Sequence, residues 1–336
     1  MTPSHPISLF MFGCGGFARR YHVQPVLDAP DVRIAGIFDP YPQAEVVALA
    51  TRAGAPLCRR IEDLPGASGT AFAIITTPHT LHAAHIDAAL DRGLHVLVDK
   101  PFVSTEADAI RLSKRANAAG LLNAVAYNRR FDAGCLRARE ILRAGGIGAV
   151  RYVQTVQLGY ERAGWFLIPE LGGGGPYTGR ASHMADIVPW LIERKPTALR
   201  SRLRSSSPTR SDHGGFIELR FDDLECHMTC IEEGWHTWDE IRIFGDDGLI
   251  ELRRPLEAPL GWELTWSSQR GARREWQQAD GTPGDATRDF LTALRGQGTP
   301  ACTFAQAADS VRIIEQAFLS ARNPGEWVTF APAANA

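Results

Sequence analysis

The sequence has no apolar run long enough to cross a bilayer, and no basic stretch leads into an apolar one near its first residues. Ile7 to Gly13 reads as a first strand instead, so the expectation is a cytoplasmic protein with no membrane partner. A surplus of positive charge is also missing: 36 Lys and Arg stand against 38 Asp and Glu, a formal net charge of -2. Nothing in that balance draws the chain to nucleic acid or anionic lipid. Repeats and low-complexity tracts are absent. The six cysteines (Cys14, Cys58, Cys135, Cys226, Cys230, Cys302) follow no disulfide framework, which suits a reducing compartment. Cys226-His227-x-x-Cys230 invites a metal reading. Alternation along a strand would turn His227 away from both thiols, so no metal site is expected.

What is present is ordinary globular composition, 44% hydrophobic and 22% charged, over 336 residues. That length is too great for one core and comfortable for two domains. Ile7 to Phe12 runs into Gly13-Cys14-Gly15-Gly16-Phe17-Ala18, with a helical pattern beyond. This is G-x-G-x-x-A between a strand and a helix. Gly13 allows the tight turn, Gly15 and Gly16 let backbone approach a pyrophosphate, and Ala18 keeps the helix close to the sheet. The helix start that follows offers free N–H groups to phosphates. A second strand, Val32 to Phe38, ends in Asp39, at the spacing of the acid that holds ribose hydroxyls. A carboxylate there repels a 2′-phosphate, and Pro40, Tyr41 and Pro42 supply no cation. NAD is expected rather than NADP.

Strand and helix then alternate. Helices are predicted over 43–53, 79–92 and 105–119, and strands over 71–75, 94–98 and 122–126. This is the pattern of a doubly wound parallel sheet. The strand from Leu94 stops at Asp99-Lys100-Pro101, because Pro101 cannot donate to a ladder. Thr76, Thr77 and Pro78 end another strand, and His82 lies one turn into the next helix. These strand ends, with Asp99 and Lys100, form the expected cofactor wall. Beyond residue 127 the pattern changes to strands at 150–158, 199–204, 216–221, 224–231, 240–244 and 249–252. Gly-Asp-Asp-Gly at 245–248 reads as a hairpin turn wanting positive φ. A mostly antiparallel sheet is predicted here. Ser205 to Gly215 reads as a surface loop, 303–321 as an amphipathic helix between domains, and Pro332 to Ala336 as a frayed tail.

The glycine turn, Ile75-Thr76-Thr77-Pro78 with His82, Asp99-Lys100-Pro101, and Tyr127-Asn128-Arg129-Arg130-Phe131-Asp132 occur together in order. With Gly145-Gly146-Ile147-Gly148, the Gly173 to Asp186 segment and Glu326-Trp327-Val328, they resemble the Gfo/Idh/MocA oxidoreductase family. The resemblance implies an α/β plus α+β architecture: an N-terminal Rossmann domain, residues 1–126, and a substrate and oligomerisation domain, 127–336, built on a large open sheet. It implies a homodimer or homotetramer acting on a sugar, cyclitol or related polyol. It further implies that the Lys100–Pro101 bond is cis.

Hydride transfer from a carbinol needs a group to stabilise the oxygen and another to take the hydroxyl proton. Lys100 suits the first role. His183, which matches the family's Gly-Gly-Gly…His…Asp pattern, suits the second. The two are expected to converge beside the nicotinamide. On a helix, Gly179, His183 and Asp186 would share one face, with Asp186 placed to orient His183. The chain departs from the family at Gly179, where the dehydrogenases carry Asp, and at Arg180. The substrate is expected to be bulkier, or to carry an anionic group that Arg180 or Arg129 can clasp, with Trp165 offering it an aromatic face. Two alternatives stay open: a redox-neutral or imine-reducing relative with tightly bound NAD, and a non-catalytic NAD-binding sensor.

Overall fold

The computed structural model describes residues 6–160, 162–205, 212–254, 262–269, 271–275 and 284–330. The tail at 332–336 and most of the loop predicted at 205–215 lie outside these residues. The chain divides into two compact units, Met1–Asn128 with Thr282–Ala308, and Arg129–Gly281 with Asp309–Ala336. The sequence reading places 127–336 as one block in the second domain; in the structure 282–308 returns to the first unit.

The first unit carries a six-stranded parallel sheet in the order β3-β2-β1-β4-β5-β6. Its strands are β1 Ile7–Phe12, β2 Val32–Phe38, β3 Leu57–Cys58, β4 Ala71–Ile75, β5 His95–Asp99 and β6 Asn123–Ala126. Each residue of β1 and β4 is buried, as expected of strands covered on both faces. Strand β3 is only two residues long, too short to leave a periodic signal. Pairing Phe12 with Phe38 and with Ile75, and Ile75 with Val98, brings the carboxyl ends level.

Helices follow the predicted alternation with local capping reasons. Gly16–Ala18 (α1) and Gln24–Leu27 (α2) are joined by a π-helical turn, Arg19–Val23. Ala44–Ala53 (α3) ends at Gly54 with φ +61°, a left-handed cap that favours glycine. His82–Asp91 (α4) is preceded by a 3₁₀ turn, His79–Leu81. Glu106–Ala118 (α5) starts at Thr105, whose hydroxyl accepts from the Asp108 amide at 3.2 Å.

The second unit holds a nine-stranded sheet among the described residues, in the order β14-β13-β12-β11-β7-β10-β9-β8-β15. Its strands are β7 Val150–Tyr160, β8 Ala198–Ser205, β9 Asp212–Phe221, β10 Leu224–Gly234, β11 Trp238–Gly245, β12 Gly248–Arg254, β13 Glu263–Ser268, β14 Gly271–Glu275 and β15 Val328–Thr329. Only the β7–β10 pair is parallel. Helices Ala133–Arg143 (α6) and Gly175–Ile192 (α8) cover one face, where Ala181, Met184 and Val188 share a core with Val153, Leu219, Met228 and Ile243. The short helix Pro169–Gly172 (α7) precedes α8 in the chain. Cys226 and Cys230 point into that core, while His227 packs on Tyr152 on the opposite face. The 245–248 hairpin forms, but none of its residues takes a positive φ. Gly245 and Gly248 are needed for room instead: a Cβ at either would run into backbone of Ile147 or Ser267.

The segment that returns to the first unit is held by specific contacts. Helix Asp285–Leu294 (α9) sets Phe290 against Phe72, and Thr287 Oγ1 lies 2.8 Å from His22 Nδ1. Helix Phe304–Ser320 (α10) starts where the Phe304 amide donates to Asn123 Oδ1 at 2.9 Å. Phe304 and Phe102 are both fully buried, with ring centroids 4.3 Å apart. Phe304→Ala is expected to lower the stability of the first unit by about 3–5 kcal/mol, read as an earlier calorimetric transition. A loss below about 1 kcal/mol would contradict this packing account.

Candidate active site

In the first unit the crevice lies between β1 and β4, where the strand order reverses. Gly13 takes φ +78°, and a Cβ there would press on Thr77 Cγ2 at 3.0 Å and Thr76 O at 3.1 Å. Two constraints thus demand glycine at one position. Gly15 and Gly16 are exposed, and nothing lies within 4 Å of where their Cβ atoms would be. That open backbone, at the start of the helical run, is shaped for a pyrophosphate. Asp39 is pinned by two amides, Cys14 N to Oδ2 at 3.2 Å and Tyr41 N to Oδ1 at 3.0 Å. Each of its oxygens keeps a lone pair for a ribose hydroxyl.

Two cations reach this region from outside the 40–42 stretch. Arg19 donates to Cys14 O at 3.3 Å and Gln43 Oε1 at 3.4 Å, and Arg59 donates to Pro40 O at 2.8 Å. Sequence reasoning missed both, because Arg59 arrives through the short β3 and Arg19 through the π-helical turn.

The predicted wall is built in two layers. Thr76 Oγ1 donates to Gly13 O at 2.9 Å, tying β4 to the glycine turn. Thr77 is buried and its hydroxyl bonds His85 Nδ1 at 2.8 Å, and Pro78 precedes the 3₁₀ turn. His82 is 1% exposed and its ring meets backbone carbonyls, so it sits behind the expected cofactor surface rather than on it. Lys100 is half-buried at the end of β5, its Nζ 5.9 Å from the Phe17 ring centroid, and the Lys100–Pro101 peptide is cis. Phe17 is stacked on Tyr21 with centroids 4.4 Å apart. Asp99 Oδ1 is buried without a hydrogen-bond partner. Burial pushes its carboxyl up to about 6, although Lys100 pulls it down.

In the second unit, Gly179, His183 and Asp186 all lie on α8. His183 is half-buried. Asp186 is buried, and both its oxygens take the Arg130 guanidinium, at 2.6 and 3.0 Å. Its main partner is therefore an arginine rather than the histidine the sequence suggests. The glycine run before α8 has an internal explanation as well: a Cβ on Gly172 would meet the Phe166 carbonyl, and one on Gly174 the Phe318 ring. Close packing of the protein on itself accounts for those two glycines.

Arg129 and Arg180 are not available as free clasps, which corrects the expected anion site. Arg129 pairs with Asp239 at 3.0 Å and lies over Trp262 at 5.2 Å. Arg180 pairs with the buried Glu232, and Asp239 lies 3.8 Å from its Nη1. Arg254 also approaches Asp239, at 3.4 Å, and Gln157 donates to it at 3.1 Å. These cations hold the Asp239 carboxyl below the usual range despite its burial. Gly159 makes the arrangement possible, since a Cβ there would overlap the Arg180 guanidinium. Trp165 is half-buried and stacked on Phe166 at 3.8 Å.

Residues 7–127 match the family described as "Oxidoreductase family, NAD-binding Rossmann fold", and residues 135–251 match the C-terminal domain of the same family. The chain belongs to the Gfo/Idh/MocA oxidoreductase family. It is 32% identical over 225 residues to a 1-carboxy-3-chloro-3,4-dihydroxycyclohexa-1,5-diene dehydrogenase of Comamonas testosteroni, a match covering 62% of this chain and 56% of that one. It is 34% identical over 147 residues to inositol 2-dehydrogenase 1 of Saccharopolyspora erythraea, covering 43% of this chain and 42% of that one. The matches thus span about half the length of these relatives. Its fold is that of the WlbA dehydrogenase of Chromobacterium violaceum, solved with NADH and UDP-GlcNAcA, with TM-score 0.83, 20% identity and coverage of 99% and 98%. No helix among the described residues is long and apolar enough to cross a membrane.

The half-buried Asp99, with its raised carboxyl, gives a pH-dependent test. A carboxyl whose folded value is raised contributes stability that is complete below the unfolded value and lost as pH rises through the folded one. Asp99→Asn should therefore exceed the parent in stability by on the order of 1–3 kcal/mol above about pH 7, with the gap closing below the ordinary carboxylate range. Urea unfolding at about pH 4 and about pH 8 measures it. An equal gap at both values would show that the charge is not the cause.

Proposed function

We propose that the protein is an NAD-dependent dehydrogenase of a ring-bearing vicinal diol, in the class of cyclitols, sugars and carboxylated cyclic diols. The observation that carries this reading is the half-buried Lys100 amine at the end of β5, on the same sheet edge as the open Gly15–Gly16 backbone and the pinned Asp39. The two relatives are named for an inositol and a dihydroxycyclohexadiene, which share a ring carbinol beside a second hydroxyl.

The residues present fit the cofactor. The amides at Gly15 and Gly16 would hold the pyrophosphate, and Asp39 would accept from the ribose hydroxyls. The Asp39 carboxylate favours NAD over NADP by repelling a 2′-phosphate. When bound, NAD supplies the hydride acceptor. Lys100 donates to the substrate oxygen and stabilises charge that grows there. His183 takes the hydroxyl proton at a ring nitrogen. With Arg129 and Arg180 engaged by Asp239 and Glu232, recognition of the ring falls to hydrogen bonds and to aromatic faces such as Trp165.

Gly179 favours a second reading, a sensor that binds NAD without turning it over, because the family's carboxylate is missing one turn before His183. One experiment separates the two: a panel of cyclitols, pyranoses and dihydroxycyclohexadiene carboxylates, followed at the nicotinamide absorbance band with NAD and NADP. For the diol that reacts, Lys100→Met is expected to lower kcat by about 10²–10⁴ while NADH affinity stays within about threefold. His183→Asn should flatten the acidic limb of the kcat/KM profile. NADH binding with no turnover across the whole panel would overturn the dehydrogenase reading.

A further inference from the structure

His82 does something that neither its motif nor its place beside the cofactor wall accounts for. It is the first residue of α4, fully enclosed, and both of its ring nitrogens face main-chain carbonyls. Nε2 lies 2.8 Å from Thr77 O, in the turn that follows β4. Nδ1 lies 2.9 Å from Pro101 O and 3.1 Å from Phe102 O, in the turn that follows β5. Carbonyl oxygens only accept, so each contact needs an N–H on the ring. One ring proton serves one turn; two serve both.

The groups around the ring set that balance. Burial, opposed by the Pro101, Thr77 and Phe102 carbonyls, pushes His82 below the usual histidine range, and the Lys100 ammonium adds to the push. The His79 ring stands edge-on, with centroids 6.0 Å apart, and burial also holds the neighbouring His85 at about 4. Either protonation state keeps at least one N–H on a carbonyl, so the ring always ties down one of the two turns.

We propose that His82 is the positioning residue for Lys100: its ring stands between the turns at the carboxyl ends of β4 and β5, and its N–H, given to the Pro101 and Phe102 carbonyls, fixes the backbone that aims the lysine. The role rests on the reading of Lys100 as the group that polarises the substrate oxygen. Asp99, beside the lysine, leaves Oδ1 without a hydrogen-bond partner, so the segment gains no anchor from that atom. The ring acts through main chain alone and does not need to touch cofactor or substrate.

The test uses the full chain with His82→Ala and, as a conservative variant, His82→Gln, which keeps one amide donor. Hydrogen exchange followed by mass spectrometry reads the 99–104 segment, and NADH fluorescence reads the cofactor site. Exchange in 99–104 is expected to rise about tenfold or more in His82→Ala, and less in His82→Gln, while α5 stays within about twofold. NADH affinity should change by less than about threefold. With the diol identified by the substrate panel, kcat should fall by about 10–100-fold in His82→Ala. His82→Ala combined with Lys100→Met should be no slower than Lys100→Met alone, because the histidine works only through the lysine.

Unchanged exchange at 99–104 in a folded variant overturns the proposal, as does a double variant in which the two losses multiply. Should His82→Ala fail to fold, His82→Gln carries both measurements. If no diol turns over, the exchange result still decides the clasp, so failure of the dehydrogenase reading is told apart from failure of this one.

Discussion

Parallel hydrogen bonding in the first unit makes every strand of its sheet end on the same edge, and the assigned cofactor chemistry depends on that constraint. Strands separated by helices bring Phe12, Phe38, Ile75 and Val98 level in register. The residues that follow them are then Gly13, Asp39, Thr76 and the Asp99–Lys100 pair. Four features become neighbours although they are spread over some ninety positions: a turn without side chains, a carboxylate, a tie to the glycine loop, and an amine. Moving one strand out of register would separate them even if every side chain were kept. The crevice at the β1–β4 reversal follows from the same order.

The second unit solves a different problem, that of placing charges next to an apolar core. Arg129, Arg180 and Arg254 surround Asp239, with Glu232 taking Arg180, while Arg130 takes Asp186 in a two-pronged pair. Removing either partner of such a buried pair is far more damaging than the pair itself is stabilising. The arrangement therefore ties β7, β10, β11 and α8 to one another through charge as well as packing. Gly159 belongs to it, since its missing side chain is the space the Arg180 guanidinium occupies. The departure at Gly179 and Arg180 is thus no isolated change. It is accompanied by carboxylates on β10 and β11 and by a glycine on β7, the strand between them.

Much of this was legible from spacing. Strand, turn, helix, strand and acid in order marked residues 7–127 as a dinucleotide-binding Rossmann domain, and cis geometry at Lys100–Pro101 agrees with what the family resemblance implied. Alternation also separated Cys226 and Cys230 from His227. Other readings went astray for one shared reason. Glycines at 245 and 248 fit the expectation of a positive-φ turn, yet each is small because another part of the chain passes close by. Arg129, Arg180 and Asp186 were read as reaching for substrate or histidine, and each had a partner that only the folded chain brings near.

The sequence by itself determined the local grammar: which segments are strands or helices, where the backbone must bend, and which residue types stand at strand ends. Those features depend on period, sterics and hydrogen-bond supply within a few residues, which are written into neighbouring letters. Tertiary structure alone decided what faces what. It assigned carboxylates to arginines, returned 282–308 to the first unit, brought Arg59 to Pro40 and turned His82 onto the distant Pro101 and Phe102 carbonyls. The physical reason is that a buried polar group must be satisfied by whatever the packing places beside it. That neighbour is set by the global path of the chain, and no short window of sequence contains it.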